Sequence, residues 1–262
     1  MSDVHGRWLS GGDIRSSLGI RLFCLPHAGS GTAAFYRWKR LLAPEIQVCP
    51  IHLPGRERRL AEPLLDHATT LVSELLNATA SLLDQPYAIF GHSMGSLMAY
   101  EWASQIAVAG LPAPSWLFVS GRNAPQINPA HREIHKLSDT AFADELGSRY
   151  GGMPDDFLGD VELRKLFLPI LRADLKLVET YRYDSTRLLA CPISASAGDD
   201  DRSVSDSGLA AWANVTCAQT EVTRYPGDHF YHLAQGQDAL LRAIETRLNH
   251  HSSEVMENGG SK

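Results

Sequence analysis

The chain has 262 residues, 44% hydrophobic and 21% charged: enough for one large domain or two small ones, and too ordinary for a disordered, collagenous or coiled-coil protein. Its formal net charge of −6 has the wrong sign for a protein that draws its affinity from nucleic-acid phosphates. The longest stretch free of Asp, Glu, Lys and Arg, Trp102–Gly121, is broken by Gln105, Gly110, Pro112 and Pro114, so no membrane span is expected.

The first twenty residues carry Asp3, Arg7, Asp13 and Arg15 and no apolar centre, which argues against a secretory leader. Four cysteines (Cys24, Cys49, Cys191, Cys217) lie far apart without a CxxC or CxxH spacing. They read as buried free thiols, and the expected location is the cytoplasm. Residues 1–18 and 250–262 are polar and are expected to fray.

Between the ends, apolar runs rich in Ile, Val, Leu and Phe predict strands at Ile20–Leu25, Ile46–Ile51, Tyr87–Phe90, Trp116–Ser120, Pro192–Ala197 and Glu221–Tyr225. Helical patterns fall between them at Ala33–Leu42, Ala68–Leu83, Ser96–Ala107, Gly208–Ala213 and Asp238–Asn249. This alternation predicts an α/β fold, a mostly parallel sheet covered by helices on both faces. One interval breaks the rhythm: residues 128–187 hold no strand, and Ser138–Tyr150, Val161–Leu168 and Ile170–Tyr181 read as helices. The expectation is a single domain whose core spans about 19–127 and 188–249, with 128–187 inserted above one end of the sheet as a helical lid. Internal packing is the plainer role for apolar residues there such as Phe157, Phe167 and Leu168.

The most informative string is Gly91-His92-Ser93-Met94-Gly95, a G-x-S-x-G pattern between a predicted strand and a predicted helix. There the pattern has a mechanical meaning: a sharp strand-to-helix turn strains the serine, exposes its hydroxyl, and needs glycines on either side for close chain passage. A serine of this kind needs a base, and its partners should follow as acid then histidine, each after a later strand. Gly198-Asp199-Asp200-Asp201 follows the fifth predicted strand and Pro226-Gly227-Asp228-His229-Phe230 follows the sixth. His229 is preferred over His232, which falls where the chain enters its last helix. His92 should point away from the serine. Asp199, Asp200 and Asp201 are each chemically capable. An oxyanion hole requires two fixed donors. One is the Met94 N–H; the other should come from the glycine-rich loop Leu25-Pro-His-Ala-Gly-Ser-Gly31, which lacks the Lys-Ser/Thr ending of a phosphate-binding loop.

With these residues in place, about 20–247 of the chain resembles the type II, or editing, thioesterases of polyketide and nonribosomal peptide biosynthesis, members of the α/β-hydrolase superfamily. The resemblance also rests on Leu53-Pro-Gly-Arg-Glu-x-Arg59 with Glu62-Pro63, Ser120-Gly-Arg-Asn-Ala-Pro125, Tyr150-Gly-Gly-Met-Pro154 and Leu171-Arg-Ala-Asp174. Where the family usually has two consecutive glycines after the oxyanion alanine, this chain has Gly29-Ser30-Gly31. The resemblance implies an α/β-hydrolase fold with Ser93, Asp201 and His229 as catalytic residues and the Ala28 and Met94 amides as oxyanion donors. It selects Asp201 because the family's aspartate lies three residues after the loop glycine. It also implies hydrolysis of acyl groups from the phosphopantetheine arm of a carrier protein, by a monomer needing no metal or other cofactor. An esterase or lipase acting on oxygen esters is the alternative with the same triad, and a non-catalytic binding protein the alternative of a different class. The cluster Arg56-Glu57-Arg58-Arg59 suits either a phosphate or acidic carrier contact, or a solvated loop with structural ion pairs.

Overall fold

The computed structural model describes residues 4–9, 19–127, 133–151 and 160–259. Six strands form one sheet: β1 (Ile20–Leu25), β2 (Ile46–Pro50), β3 (Tyr87–His92), β4 (Trp116–Ser120), β5 (Ile193–Gly198) and β6 (Thr220–Tyr225). Their spatial order is β2-β1-β3-β4-β5-β6 and every pairing is parallel. β1, β3 and β4 are buried along their whole length, as strands covered on both faces must be. β6 lies at an edge, which explains its Thr, Glu and Arg residues and the exposure of Val222.

Side chains alternate across the sheet. Leu22 and Cys24 face one core with Phe90, Phe118, Phe35 and Trp38, beneath α2 (Trp38–Leu41) and α8 (Gln237–Gly259). Phe23 and Leu25 face the other, beneath α3 (Ala68–Thr79) and α4 (Met94–Val108). The short α7 (Asp206–Ala210) follows β5. Among the described residues no helix is long and apolar enough to cross a membrane.

The chain between β4 and β5 supplies a 3-10 turn at Ile134–Lys136, α5 (Asp139–Tyr150) and α6 (Val161–Glu179). Asp160 caps α6 by accepting from the Glu162 and Leu163 N–H groups, both at 3.0 Å. Ile134, Phe142, Leu146, Leu168 and Leu175 form a small core between these elements, with Ala28 packed against it. Leu168 is therefore internal packing and Phe167 is partly buried at its edge; Phe157, Met153 and Pro154 lie outside the described residues. The residues suggested two helices separated at Pro169. Instead α6 runs through the proline. One backbone bond is forfeited there, and the buried Leu168, Ile170, Leu175 and Leu177 hold the two halves in line.

Residues 4–9 depart from the expected N-terminal fraying. α1 (Val4–Trp8) docks on the core with Trp8 and Leu9 buried. The Arg59 guanidinium sits 4.2 Å above the Trp8 ring, and the His52 N–H donates to the Trp8 carbonyl at 2.8 Å. At the other end α8 continues to Gly259, past the expected stop at residue 249. Cys24, Cys49 and Cys191 are buried free thiols as read, but Cys217 is exposed.

Trp8, with Leu9, binds the N-terminal segment to the domain through burial, and Trp8 adds a cation–π contact with Arg59. Trp8→Ala is expected to lower unfolding free energy by roughly 3 kcal/mol, seen in urea denaturation as a lower midpoint at an unchanged slope. An unchanged midpoint would mean that the segment contributes nothing.

Candidate active site

The sheet order reverses beside β1: the chain leaves β1 for β2 on one side, and β3 pairs with β1 on the other. Loops leaving the carboxyl ends of such neighbouring strands diverge and open a crevice. The loop after β1 (residues 26–31) and the turn after β3 (residues 93–95) face each other there, and the loops after β5 and β6 complete the site.

Ser93 has φ 54° and ψ −112°, a left-handed conformation that non-glycine residues rarely adopt. Its N–H donates to the Ser120 carbonyl at 2.7 Å. The Ser96 hydroxyl braces the turn, at 2.8 Å from the Gly91 carbonyl and 2.7 Å from the Ser120 carbonyl. The flanking glycines are sterically required. A Cβ on Gly91 would lie 2.1 Å from the Gly95 carbonyl oxygen, and one on Gly95 would lie 2.2 Å from the Leu25 carbonyl oxygen.

Asp201 and His229 meet as the strand-end argument anticipates: Asp201 Oδ2 lies 2.8 Å from His229 Nδ1, with both side chains buried. Asp199 and Asp200 are exposed, so burial separates three adjacent aspartates that the residues alone left open. Burial alone would raise the Asp201 pKa. The hydrogen bond and charge of His229, then the Ser203 hydroxyl and N–H, outweigh it and hold the carboxyl below its usual range. Ser203, absent from the sequence reading, donates to Asp201 Oδ1 from its hydroxyl (2.6 Å) and its N–H (3.0 Å). The Asp-x-Ser spacing of a side-chain turn was its available signal. With Nδ1 committed to Asp201, Nε2 is the nitrogen left for proton transfer, and His229 and Ser93 line the same cavity. The Ser93 hydroxyl and the His229 imidazole make no hydrogen bond to each other in this structure.

Behind the site, His92 is fully buried and directed away from Ser93. Its Nδ1 lies 2.8 Å from the Ser120 hydroxyl, which is itself 2.6 Å from the Tyr231 hydroxyl. His232 stacks on His92 with ring centroids 3.7 Å apart and is also fully buried, which removes it as a competitor of His229. Burial and neighbouring imidazoles push the pKa values of His92 and His232 well below 6.5, and burial together with His229 lowers His27 to about 4. Among the described residues no group of three or more histidine, cysteine, aspartate or glutamate side chains is arranged to hold a metal ion.

Ala28 and Met94 line the same cavity as Ser93. Among the described residues their N–H groups have no hydrogen-bond acceptor, which leaves both donors available. Two arginines of the 56–59 cluster, Arg56 and Arg59, are buried, and Arg58 is exposed. Arg56 forms a two-pronged pair with the buried Asp174, 2.7 Å at each prong. Arg59 binds Glu62 and the His52 carbonyl, and Arg58 donates to the Gly6 and Leu9 carbonyls. The ion-pair reading holds for Arg56 and Arg59, which are embedded rather than solvated, while Arg58 stays at the surface.

Two chambers of about 640 and 650 Å³ share Ser93, Arg122, Tyr150, Leu175 and Val178. The first is apolar, with Leu146, Leu163, Phe167, Leu171 and Leu233 in its wall. The second is polar, with Asn123, Gln126, Arg149, Arg182 and Arg202. Arg122, at the junction, faces the phenols of Tyr150 and Tyr181, and burial lowers its pKa. No carboxylate pairs with its guanidinium among the described residues.

This arrangement is that of a hydrolase of the α/β-hydrolase fold with a two-armed cavity. A family model described as "Thioesterase domain" matches residues 20–248. The chain is 40% identical to the gramicidin S biosynthesis protein GrsT of Aneurinibacillus migulanus, over 86% of this chain and 88% of that one. It is 37% identical to the thioesterase PikA5 of Streptomyces venezuelae, over 86% and 80%. Among solved structures, the type II thioesterase BorB from the borrelidin biosynthetic cluster superposes with a TM-score of 0.82 at 35% identity, covering 95% of this chain and 99% of that one. The chain belongs to the thioesterase family and is a thioester hydrolase.

The buried histidines generate a pH prediction. A histidine whose folded pKa lies below its unfolded value takes up its proton more readily when unfolded, so stability is full above about pH 6.5 and falls as pH drops. One pH unit lower, a histidine held neutral like His27 costs about 1.4 kcal/mol, and His92 and His232 act in the same direction. Urea midpoints are expected to fall steeply from pH 7.5 to 5.5, less so in His232→Gln. A flat profile would contradict neutral burial.

Proposed function

We propose that this protein is an editing thioesterase that hydrolyses stalled or aberrant acyl groups from the phosphopantetheine arm of acyl- or peptidyl-carrier proteins. The reading rests above all on the strained Ser93, which shares a cavity with a histidine tethered to the buried Asp201. Ser93 is the nucleophile, His229 the general base and acid, and Asp201 the carboxylate that orients the ring. The Ala28 and Met94 amides receive the oxyanion. His229 takes the Ser93 proton as the oxygen attacks the thioester carbonyl, and the tetrahedral oxyanion lies between the two amides. The C–S bond then breaks and the departing thiolate takes the proton from the imidazolium. Water deprotonated by His229 attacks the acyl-serine, releasing the free acid and restoring Ser93.

A thioester has two arms, and the cavity has two chambers meeting at Ser93. The acyl chain suits the apolar chamber. The polar chamber suits a pantetheine arm, whose amide carbonyls can accept from the Arg122 guanidinium, which has no carboxylate partner among the described residues. Relatives named for gramicidin S biosynthesis and the borrelidin cluster support service to a modular synthase. On this reading the insertion at 128–187 is a lid on a single domain, and the enzyme works as a cytoplasmic monomer beside its synthase.

Ser93→Ala is expected to lower hydrolysis of an acyl-carrier thioester about ten-thousand-fold or more at an unchanged melting temperature. Turnover near wild type would refute the mechanism. Asp201→Asn should cost far more than Asp199→Asn or Asp200→Asn; the reverse order would remove Asp201 from its role. Arg122→Met should raise KM about ten-fold for acyl-phosphopantetheine but leave it unchanged for the truncated N-acetylcysteamine thioester. Equal effects on both would place Arg122 outside the arm's path, and faster turnover of oxygen esters than of thioesters would favour an esterase.

A further inference from the structure

Two strings far apart in the chain, around Arg56 and Asp174, close on the loop after β1. The loop after β1 turns at His27–Ser30, where the Ser30 N–H donates to the His27 carbonyl at 3.1 Å. Gly29, the third residue of this turn, has φ 76°, as a type II turn requires. From α6, Asp174 Oδ2 accepts the Gly29 N–H at 2.8 Å, and a Cβ on Gly29 would lie 2.5 Å from the Leu171 side chain. From the loop after β2, Arg56 donates to the Ser30 carbonyl at 3.1 Å while its two prongs hold Asp174. Next to it, Glu57 accepts from the Thr32 hydroxyl at 2.9 Å and from the Ala33 N–H at 3.3 Å.

These bonds leave the Ala28 amide little freedom. In a trans peptide the carbonyl and the N–H point in opposite directions. The His27 carbonyl shares its plane with the Ala28 N–H, so the bond from Ser30 aims that N–H the other way, and Ala28 lines the cavity beside Ser93. Asp174 fixes the next peptide plane, Ala28–Gly29, the Ser30 N–H that of Gly29–Ser30, and Arg56 that of Ser30–Gly31. A buried ion pair is weak evidence for stability, since well-packed apolar residues often serve equally well. What an apolar pair cannot do is accept the Gly29 N–H and donate to the Ser30 carbonyl.

We propose that the buried Arg56–Asp174 pair is a positioning device for the oxyanion hole: Asp174 on α6 and Arg56 on the loop after β2 set the Ala28 amide by gripping the peptides that follow it. Docking of α6 on the core and readiness of the oxyanion hole are then one event. The inference rests on Ala28 being an oxyanion donor to Ser93, as in the function proposed above.

The test compares wild type with Asp174→Asn, Arg56→Lys and the apolar double variant Arg56→Met/Asp174→Leu, each checked for native circular dichroism. Three readouts separate positioning from packing: kcat and KM on an acyl thioester, inhibition by an alkyl trifluoromethyl ketone that forms a tetrahedral oxyanion on Ser93, and binding of a non-hydrolysable thioether analogue. For the double variant kcat should fall about a hundred-fold, with ketone affinity falling in parallel and KM and thioether binding within about three-fold. Arg56→Lys, which keeps the charge and loses the fork, should fall between. A folded double variant with kcat within about three-fold of wild type would overturn the proposal, as would thioether binding that weakens as much as kcat. Hydrogen exchange on unaltered enzyme gives a reading independent of folding: the Gly29 amide should exchange at the rate of the α6 amides, and exchange far faster than α6 would also overturn it. Activity surviving in Ser93→Ala would instead defeat the assignment of the site itself, so the two failures are distinguishable.

Discussion

The site depends on the tight turn that carries Ser93. A left-handed serine costs about 1–3 kcal/mol of backbone strain and persists only where its surroundings over-determine it. Here the frame is the sheet. β1 and β4 flank β3, the Ser120 carbonyl of β4 takes the Ser93 N–H at 2.7 Å, and Ser96 ties the turn to the Gly91 and Ser120 carbonyls. On the other side Gly95 lets the end of β1 approach so closely that any side chain would collide with the Leu25 carbonyl. The same contacts that strain the serine therefore bring it against the loop bearing Ala28.

Charge near this turn is distributed selectively. The carboxylate of Asp201 is committed to His229 and Ser203, and that of Asp174 to Arg56 and Gly29. Burial keeps His27, His92 and His232 neutral around His229. A positive charge developing on His229 then meets a facing carboxylate without opposing imidazolium ions, which favours proton transfer from Ser93. The guanidinium of Arg122 remains without a carboxylate partner among the described residues, at the junction of the two chambers.

Much of this was readable from the residues, for a physical reason. A parallel sheet fixes where loops emerge, so a serine after β3, an aspartate after β5 and a histidine after β6 must converge at one edge once the strands are recognised. What local pattern cannot rank is burial, and Asp199, Asp200 and Asp201 differ in nothing else until the loop closes on His229. The Arg56–Asp174 pair was equally hidden, because its members stand 118 residues apart and neither carries a local sign of its partner. Pro169 marked a break that tertiary packing overrides, and Trp8 lay in a stretch polar enough to read as a loose end.

The central claim is that Ser93 carries the acyl group during turnover. Mixing the enzyme with an acyl-carrier thioester, quenching in acid within milliseconds and mapping the adduct by peptide mass spectrometry tests it directly. The acyl mass should appear on Ser93 and decay at the rate at which free acid forms. An adduct on Ser120 or another residue, or full turnover with no adduct under conditions where hydrolysis of the intermediate limits the rate, would contradict it.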